Sequence, residues 1–237
     1  MNLGIVGCGA MGTIVRNMAL HHEKFDHVFS VEPAKGETLF DGPKADVIID
    51  FSHPEALGDT CDYLRQQKGS CGVVFATTGF SPADEKQIRQ LAEVAPVIKS
   101  SNYSYGVNTL KRILEYAAPL LVNQADIEIV EKHHRLKIDA PSGTALMLAE
   151  LCDPEGTKER IFGRLGEAKR QDEIGIHSVR GGGIFGEHTV IFALPDEVIE
   201  LKHTAFSKNI FAKGAIDAAL WLEGKKPGIY PLEQVFY

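Results

Sequence analysis

The chain has 237 residues, 44% hydrophobic and 24% charged, which are ordinary proportions for a folded protein and enough length for one large domain or two modest ones. A formal net charge of -7 argues against nucleic acid or an anionic membrane as the main partner, because both require a basic face. The start shows no signal-peptide pattern, no apolar run reaches the ~18 residues of a membrane span, and four cysteines without CxxC or zinc-type spacing suggest reduced thiols and the cytoplasm.

The first hundred residues alternate strands and helices. The run 2-NLGIV-6 reads as a buried strand, and 13-TIVRNMALHH-22 has apolar residues at helical spacing. Strands are expected again at 27-HVFSVE-32, 45-ADVIIDFS-52, 72-GVVFATTG-79 and 96-PVIKS-100, with helices over residues 54–67 and 82–95. That alternation predicts βαβ units and a parallel sheet. Beyond residue 103 the pattern changes. A helix over residues 106–124 leads into the alternating strand 126-DIEIVEKHH-134, and a further helix is expected from Ser142 to about residue 151. The polar stretch 153–173 reads as mostly surface, and residues 174–205 as a mixed, mainly antiparallel sheet. A last helix over about 207–222 precedes a Pro/Gly-containing tail. The fold expected is α/β: a Rossmann-like, parallel-sheet domain over residues 1–103, completed by 207–237, and an α+β domain over 104–206.

Between the first strand and helix lies the loop Gly7, Cys8, Gly9, Ala10, Met11 and Gly12. Its G-x-G-x-x-G spacing fits a dinucleotide: Gly7 for the tight turn, Gly9 for approach of a pyrophosphate, Gly12 for close packing of helix on strand. Glu32, at the end of the second strand, suits the adenosine ribose hydroxyls and repels a 2′-phosphate, so NADH is expected to be used at least as well as NADPH. Ala76, Thr77 and Thr78, at the end of another strand, offer a second approach to the cofactor.

The stretch 131-EKHHRLKIDAPSGTA-145 concentrates imidazole, ammonium and turn residues. Ser142 as N-cap would leave the amides of Gly143 and Thr144 in the first helical turn, a receptor for a carboxylate. His133 and Lys137 share a face, and together can supply a proton and hold negative charge. Adjacent strand histidines lack the spacing for one metal ion, and no metal is expected. A solvated basic strand end is the competing account of the two histidines, and it fits poorly with a receptor turn a few residues later.

This stretch resembles the signature of the 4-hydroxy-tetrahydrodipicolinate reductase (dihydrodipicolinate reductase) family of diaminopimelate and lysine synthesis. Further matches are 76-ATTG-79, 102-NYSYGVN-108, 185-FGEHTVIFA-193 and 203-HTAFSKNIFAKGAIDAALWL-222. The resemblance implies NAD(P)H-dependent reduction of a small cyclic dicarboxylate and a homotetramer formed through the second domain's sheet. It implies His133 as proton donor with Lys137 its partner, and His134, Gly143 and Thr144 as holders of the substrate carboxylates. Ala76, Thr77, Thr78, Ser100, Ser101, Asn102 and Tyr103 would line the nicotinamide side. Departures from the family pattern are a phosphate loop without arginine, Pro33 where arginine is common, Ala76 for glycine and Ser101 for proline or alanine. The two missing arginines weaken the expectation of NADPH preference. Rivals are another two-domain dehydrogenase of aspartate-family metabolism, whose semialdehyde chemistry would need a nucleophilic cysteine where none has an obvious catalytic setting, or a non-catalytic dinucleotide binder.

Overall fold

The computed structural model describes residues 1–237. In chain order the elements are β1 (Asn2–Val6), α1 (Ala10–Ala19), β2 (His27–Val31), β3 (Val47–Asp50), α2 (Leu57–Gln67), β4 (Gly72–Phe75), α3 (Pro82–Leu91), β5 (Pro96–Lys99), α4 (Tyr105–Leu121), β6 (Asp126–His133), α5 (Gly143–Cys152), β7 (Glu159–Phe162), β8 (Glu173–Arg180), β9 (Gly186–Ala193), β10 (Val198–Ala205), α6 (Asn209–Trp221), β11 (Gly228–Tyr230) and α7 (Glu233–Phe236). They form two compact units, Met1–Tyr105 with Lys208–Tyr237, and Gly106–Ser207.

The first unit is built on six parallel strands in the order β11-β5-β4-β3-β1-β2. The central strands are apolar throughout because helices cover both faces. Ile48, Val73 and Phe75 pack toward α2 and α3, and Ile49 and Val74 toward α1 and α6. Fully burying an isoleucine such as Ile49 contributes about 1.5–3 kcal/mol. Helix α3 starts at a capping box in which Ser81 and Asp84 satisfy each other's amides, followed by Pro82 in the first turn. Helix α6 buries a face of small residues, Ala212, Gly214, Ala215, Ala218 and Ala219. At Gly214 a Cβ would stand 1.8 Å from the Tyr103 carbonyl oxygen, so glycine is required for this approach. The tail is more than a connector: β11 extends the sheet beside β5. Three residues carry no readable period, and only the neighbouring strand makes them one.

The second unit has a five-stranded mixed sheet in the order β10-β9-β6-β8-β7. Strand β9 pairs antiparallel on both sides, whereas β8 pairs parallel with both β6 and β7. On β6 burial alternates strictly, so Ile127, Ile129, Glu131 and His133 share one face. That face, with Ile174, Ile176, Val190 and Phe192, packs against Leu110 and Leu114 of α4 and Leu148 of α5. Strand β7 corrects the expectation of plain surface over 153–173: ERIF is short and flanked by charge, and it is a strand because β8 supplies its partner. No helix is long and apolar enough to cross a membrane.

Candidate active site

In the first unit the chain leaves β1 at Gly7, whose φ of +96° lies in the left-handed region, and a Cβ there would meet the Phe51 carbonyl at 2.7 Å. Gly12 lies in the first turn of α1, where a Cβ would be 1.9 Å from the Gly7 carbonyl oxygen. Gly9 is the N-cap of α1, and a Cβ added to it meets nothing within 4 Å, so the space before the helix start is open. Cys8 and Ala10 are exposed and Met11 half-buried. Glu32 directly follows β2 and leans back over this loop: its Oε2 accepts from the Cys8 amide at 2.8 Å and its Oε1 from the Ala34 amide at 3.4 Å.

A cleft of about 380 Å³ opens here, lined by Gly7 and Gly9 after β1, by Glu32, Pro33 and Ala34 after β2, and by Phe51, Ser52 and His53 after β3. Strand order reverses between β1 and β3, so the cleft stands where open α/β sheets bind ligands, beyond the strands' carboxyl ends. The donor set fits a dinucleotide: helix-start amides without side-chain cover for a pyrophosphate, and a carboxylate fixed by the loop for ribose hydroxyls. The cleft's charged lining is Glu32, Glu55 and Asp59, with no lysine or arginine.

The other expected cofactor residues divide into two groups. The Thr77 hydroxyl donates to Asp50 Oδ1 at 2.8 Å, and the Ser52 amide and hydroxyl donate to the same oxygen at 2.9 and 2.6 Å. Burial pushes the Asp50 carboxyl up and these three bonds oppose the shift. Tyr103 is 2% exposed, and its hydroxyl donates to the Phe75 carbonyl at 2.8 Å. Both hydroxyls thus fasten strand ends, that of Thr77 to Asp50 and that of Tyr103 to the Phe75 carbonyl. Ala76 is buried, its amide bonded to the Asp50 carbonyl. Ser100 and Asn102 brace their own turn through Ser100 Oγ to the Asn102 carbonyl at 3.0 Å and Asn102 Oδ1 to the Ser104 amide at 2.9 Å. Thr78 and Ser101 are exposed.

In the second unit Glu131, two residues before His133 on an alternating strand, shares its face and is fully buried. Glu131 Oε2 lies 2.5 Å from His133 Nδ1. Arg180 of β8 grips the same carboxylate with both amino groups, at 2.7 and 2.6 Å. Burial disfavours the charged carboxylate, but Arg180 and then His133 outweigh it and hold the carboxyl down at about 2. Burial lowers the proton affinity of His133, partly offset by Glu131. His188 of β9 stacks edge-on against His133 at 5.1 Å, and its Nε2 is 2.9 Å from Ser142 Oγ. Burial takes His188 down to about 4, so it is neutral near pH 7.

Ser142 is the N-cap of α5 and accepts from the Ala145 amide at 3.2 Å. Gly143 is exposed, with open space where a side chain would stand, and Thr144 is half-buried in the first turn. His134 lies just past β6 and is half-buried. Lys137 does not hydrogen-bond to His133: its ammonium donates to both oxygens of Asp139 at 2.8 Å, because the turn after His134 brings residues 137 and 139 together. The structure thus gathers His133, His134, Lys137 and the α5 start in one unit. No group of three or more His, Cys, Asp or Glu is placed to hold a metal ion. Cys61, Cys71 and Cys152 are buried and pushed by burial to about 11, 12 and 12, a poor setting for a thiolate nucleophile.

Two family models match in tandem: "Dihydrodipicolinate reductase, N-terminus" over residues 1–103 and "Dihydrodipicolinate reductase, C-terminus" over 106–236. The chain belongs to the dihydrodipicolinate reductase family. Its relatives include 4-hydroxy-tetrahydrodipicolinate reductases of an Exiguobacterium species, 43% identical over 100% of this chain and 96% of the relative, and of Caldanaerobacter subterraneus, 41% identical over 99% and 98%. Among solved structures, dipicolinate-bound dihydrodipicolinate reductase from Paenisporosarcina sp. TG-14 has the same fold, with a TM-score of 0.76 at 23% identity over 98% of this chain and 97% of that one. Family membership covers both units, so the glycine loop and the histidine cluster belong to one kind of enzyme.

Sequence reasoning missed Glu131, Arg180, Asp139 and His188 as members of the cluster. Glu131 was legible, because position i-2 of an alternating strand shares the face of position i. Arg180 and His188 were not, since only the β6–β8 and β6–β9 pairings carry them to Glu131.

Proposed function

We propose that this chain catalyses the NAD(P)H-dependent reduction of 4-hydroxy-tetrahydrodipicolinate, through its dehydrated ring, to tetrahydrodipicolinate in diaminopimelate and lysine synthesis. The observation that carries it is the buried Glu131–His133 pair standing at the start of α5, within the second matched segment of the family. The glycine loop and Glu32 would hold the dinucleotide by its pyrophosphate and adenosine ribose, and its reduced nicotinamide would supply the hydride when bound. His133 gives a proton to the reduced ring, and the α5 start with His134 and Thr144 receives its carboxylates. Lys137 adds positive charge beside them, in exchange with Asp139.

The cleft's lining of Glu32, Glu55 and Asp59, without lysine or arginine, supports use of NADH at least as readily as NADPH, because these carboxylates repel a 2′-phosphate. The proposal extends to a homotetramer in the cytoplasm, as the family resemblance implies. Steady-state oxidation of NADH and of NADPH, with the imine generated in situ from pyruvate and aspartate semialdehyde, tests it. Turnover with kcat/KM for NADH equal to or above that for NADPH is expected, and binding of either without turnover refutes the function. Thr144→Leu is expected to raise KM for the dicarboxylate by roughly tenfold, equivalent to about 1.4 kcal/mol. A KM rise confined to NADH would assign the turn to the wrong ligand.

A further inference from the structure

We propose that Glu131, clamped by Arg180, is the positioning residue for the proton donor, one buried anion that fixes both the His133 imidazole and the start of α5. This rests on the function proposed above and adds the device that orients its acid. The two carboxylate oxygens take four donors between them. Oε2 receives His133 Nδ1 at 2.5 Å and Arg180 Nη1 at 2.7 Å, while Oε1 receives Arg180 Nη2 at 2.6 Å and the Ser142 amide at 3.1 Å. Arg180 also donates to the Asp139 carbonyl at 2.7 Å, which pins the loop that carries Lys137. Ser178, opposite Glu131 in the register, lies on the same side.

Two consequences follow from this geometry. An ionised acceptor at Nδ1 requires that atom to carry its hydrogen, so Nε2 is the atom that gains and loses the transferable proton. Gly186 keeps that atom uncovered: a Cβ at 186 would stand 3.2 Å from His133 Nε2. The second consequence is electrostatic. Glu131 favours the imidazolium, whereas Arg180, Lys137 and burial oppose it. Asp139 offsets Lys137 from the loop. On β9, His188 faces His133 in its neutral form, and His203 of β10 stands behind His188 in the register. A buried ion pair adds little net stability over apolar packing, so orientation and proton affinity are the better account of this one.

The test is a ¹⁵N-histidine NMR titration of His133 in the substrate-free full-length chain, with kcat/KM followed against pH. In Glu131→Gln the His133 midpoint is expected to fall by roughly one unit, the scale of losing an adjacent opposite charge, and the alkaline limb of kcat/KM to fall with it. In Arg180→Gln both are expected to rise. Glu131→Asp keeps the charge on a shorter arm, so it should restore the midpoint and still lower kcat. Midpoints unmoved in folded Glu131→Gln and Arg180→Gln overturn the proposal. If Glu131→Gln does not fold, Arg180→Gln, at a side chain 19% exposed, decides alone, and an unmoved midpoint there overturns it equally. The titration needs no substrate, so a native chain that fails to reduce the imine refutes the underlying function and is distinguished from a failed clamp.

Discussion

Replacing His133 by glutamine lowers kcat for imine reduction roughly 100-fold or more, the usual loss when a general acid is removed, while the dissociation constant for NADH stays unchanged. Glutamine keeps a polar side chain beside Glu131 but has no proton to give near neutrality. The cofactor cleft is lined by residues of the first unit alone, so its affinity has no reason to move. The pH dependence carries the same assignment. A general acid works only while protonated, so kcat/KM of the native enzyme falls as pH rises through the His133 pKa. Burial places that pKa below the ordinary imidazole value, with Glu131 offsetting part of the shift, so the fall starts on the acid side of an exposed histidine. Wild-type turnover in the glutamine variant, or an alkaline limb that survives in it unchanged, removes His133 from the mechanism.

The second large effect separates two glycines of one loop. Gly12→Ala places a Cβ 1.9 Å from the Gly7 carbonyl oxygen, a clash with backbone that no rotamer relieves. Alanine's helix propensity gains about 1 kcal/mol over glycine, and overpacking of this kind costs about 1–3 kcal/mol or more. The clash wins, so Tm falls by several degrees and NADH binding is lost with the shifted loop. Gly9→Val meets no protein atom within 4 Å and Gly9 has ordinary extended backbone, so Tm stays close to native. Its branched side chain instead fills the ground before the helix amides, and NADH affinity falls roughly tenfold or more, about 1.4 kcal/mol per decade. Isothermal titration with NADH and a thermal melt of both variants check this. Equal Tm losses in the two, or an unchanged NADH affinity in Gly9→Val, would show that the loop serves packing and not the cofactor.

The sequence by itself determined most of what is local. Apolar runs bounded by glycine and proline gave the strands of the first unit, the G-x-G-x-x-G spacing marked the turn between β1 and α1, and Pro-Ser-Gly-Thr marked the start of α5, because capping, periodicity and φ demands are written within a few neighbouring residues. Strands β7 and β11 were hidden, since three or four residues become a strand only when a neighbour offers its hydrogen bonds. That the hydroxyls of Tyr103 and Thr77 fasten strand ends was not legible either, because burial is settled by what packs above them. The tertiary structure alone decided the surroundings of His133. Arg180 reaches Glu131 from 49 residues away along the chain, and His188 arrives on a third strand. Charge and hydrogen bonding act through space, so the proton affinity of one imidazole depends on pairings that no local stretch records.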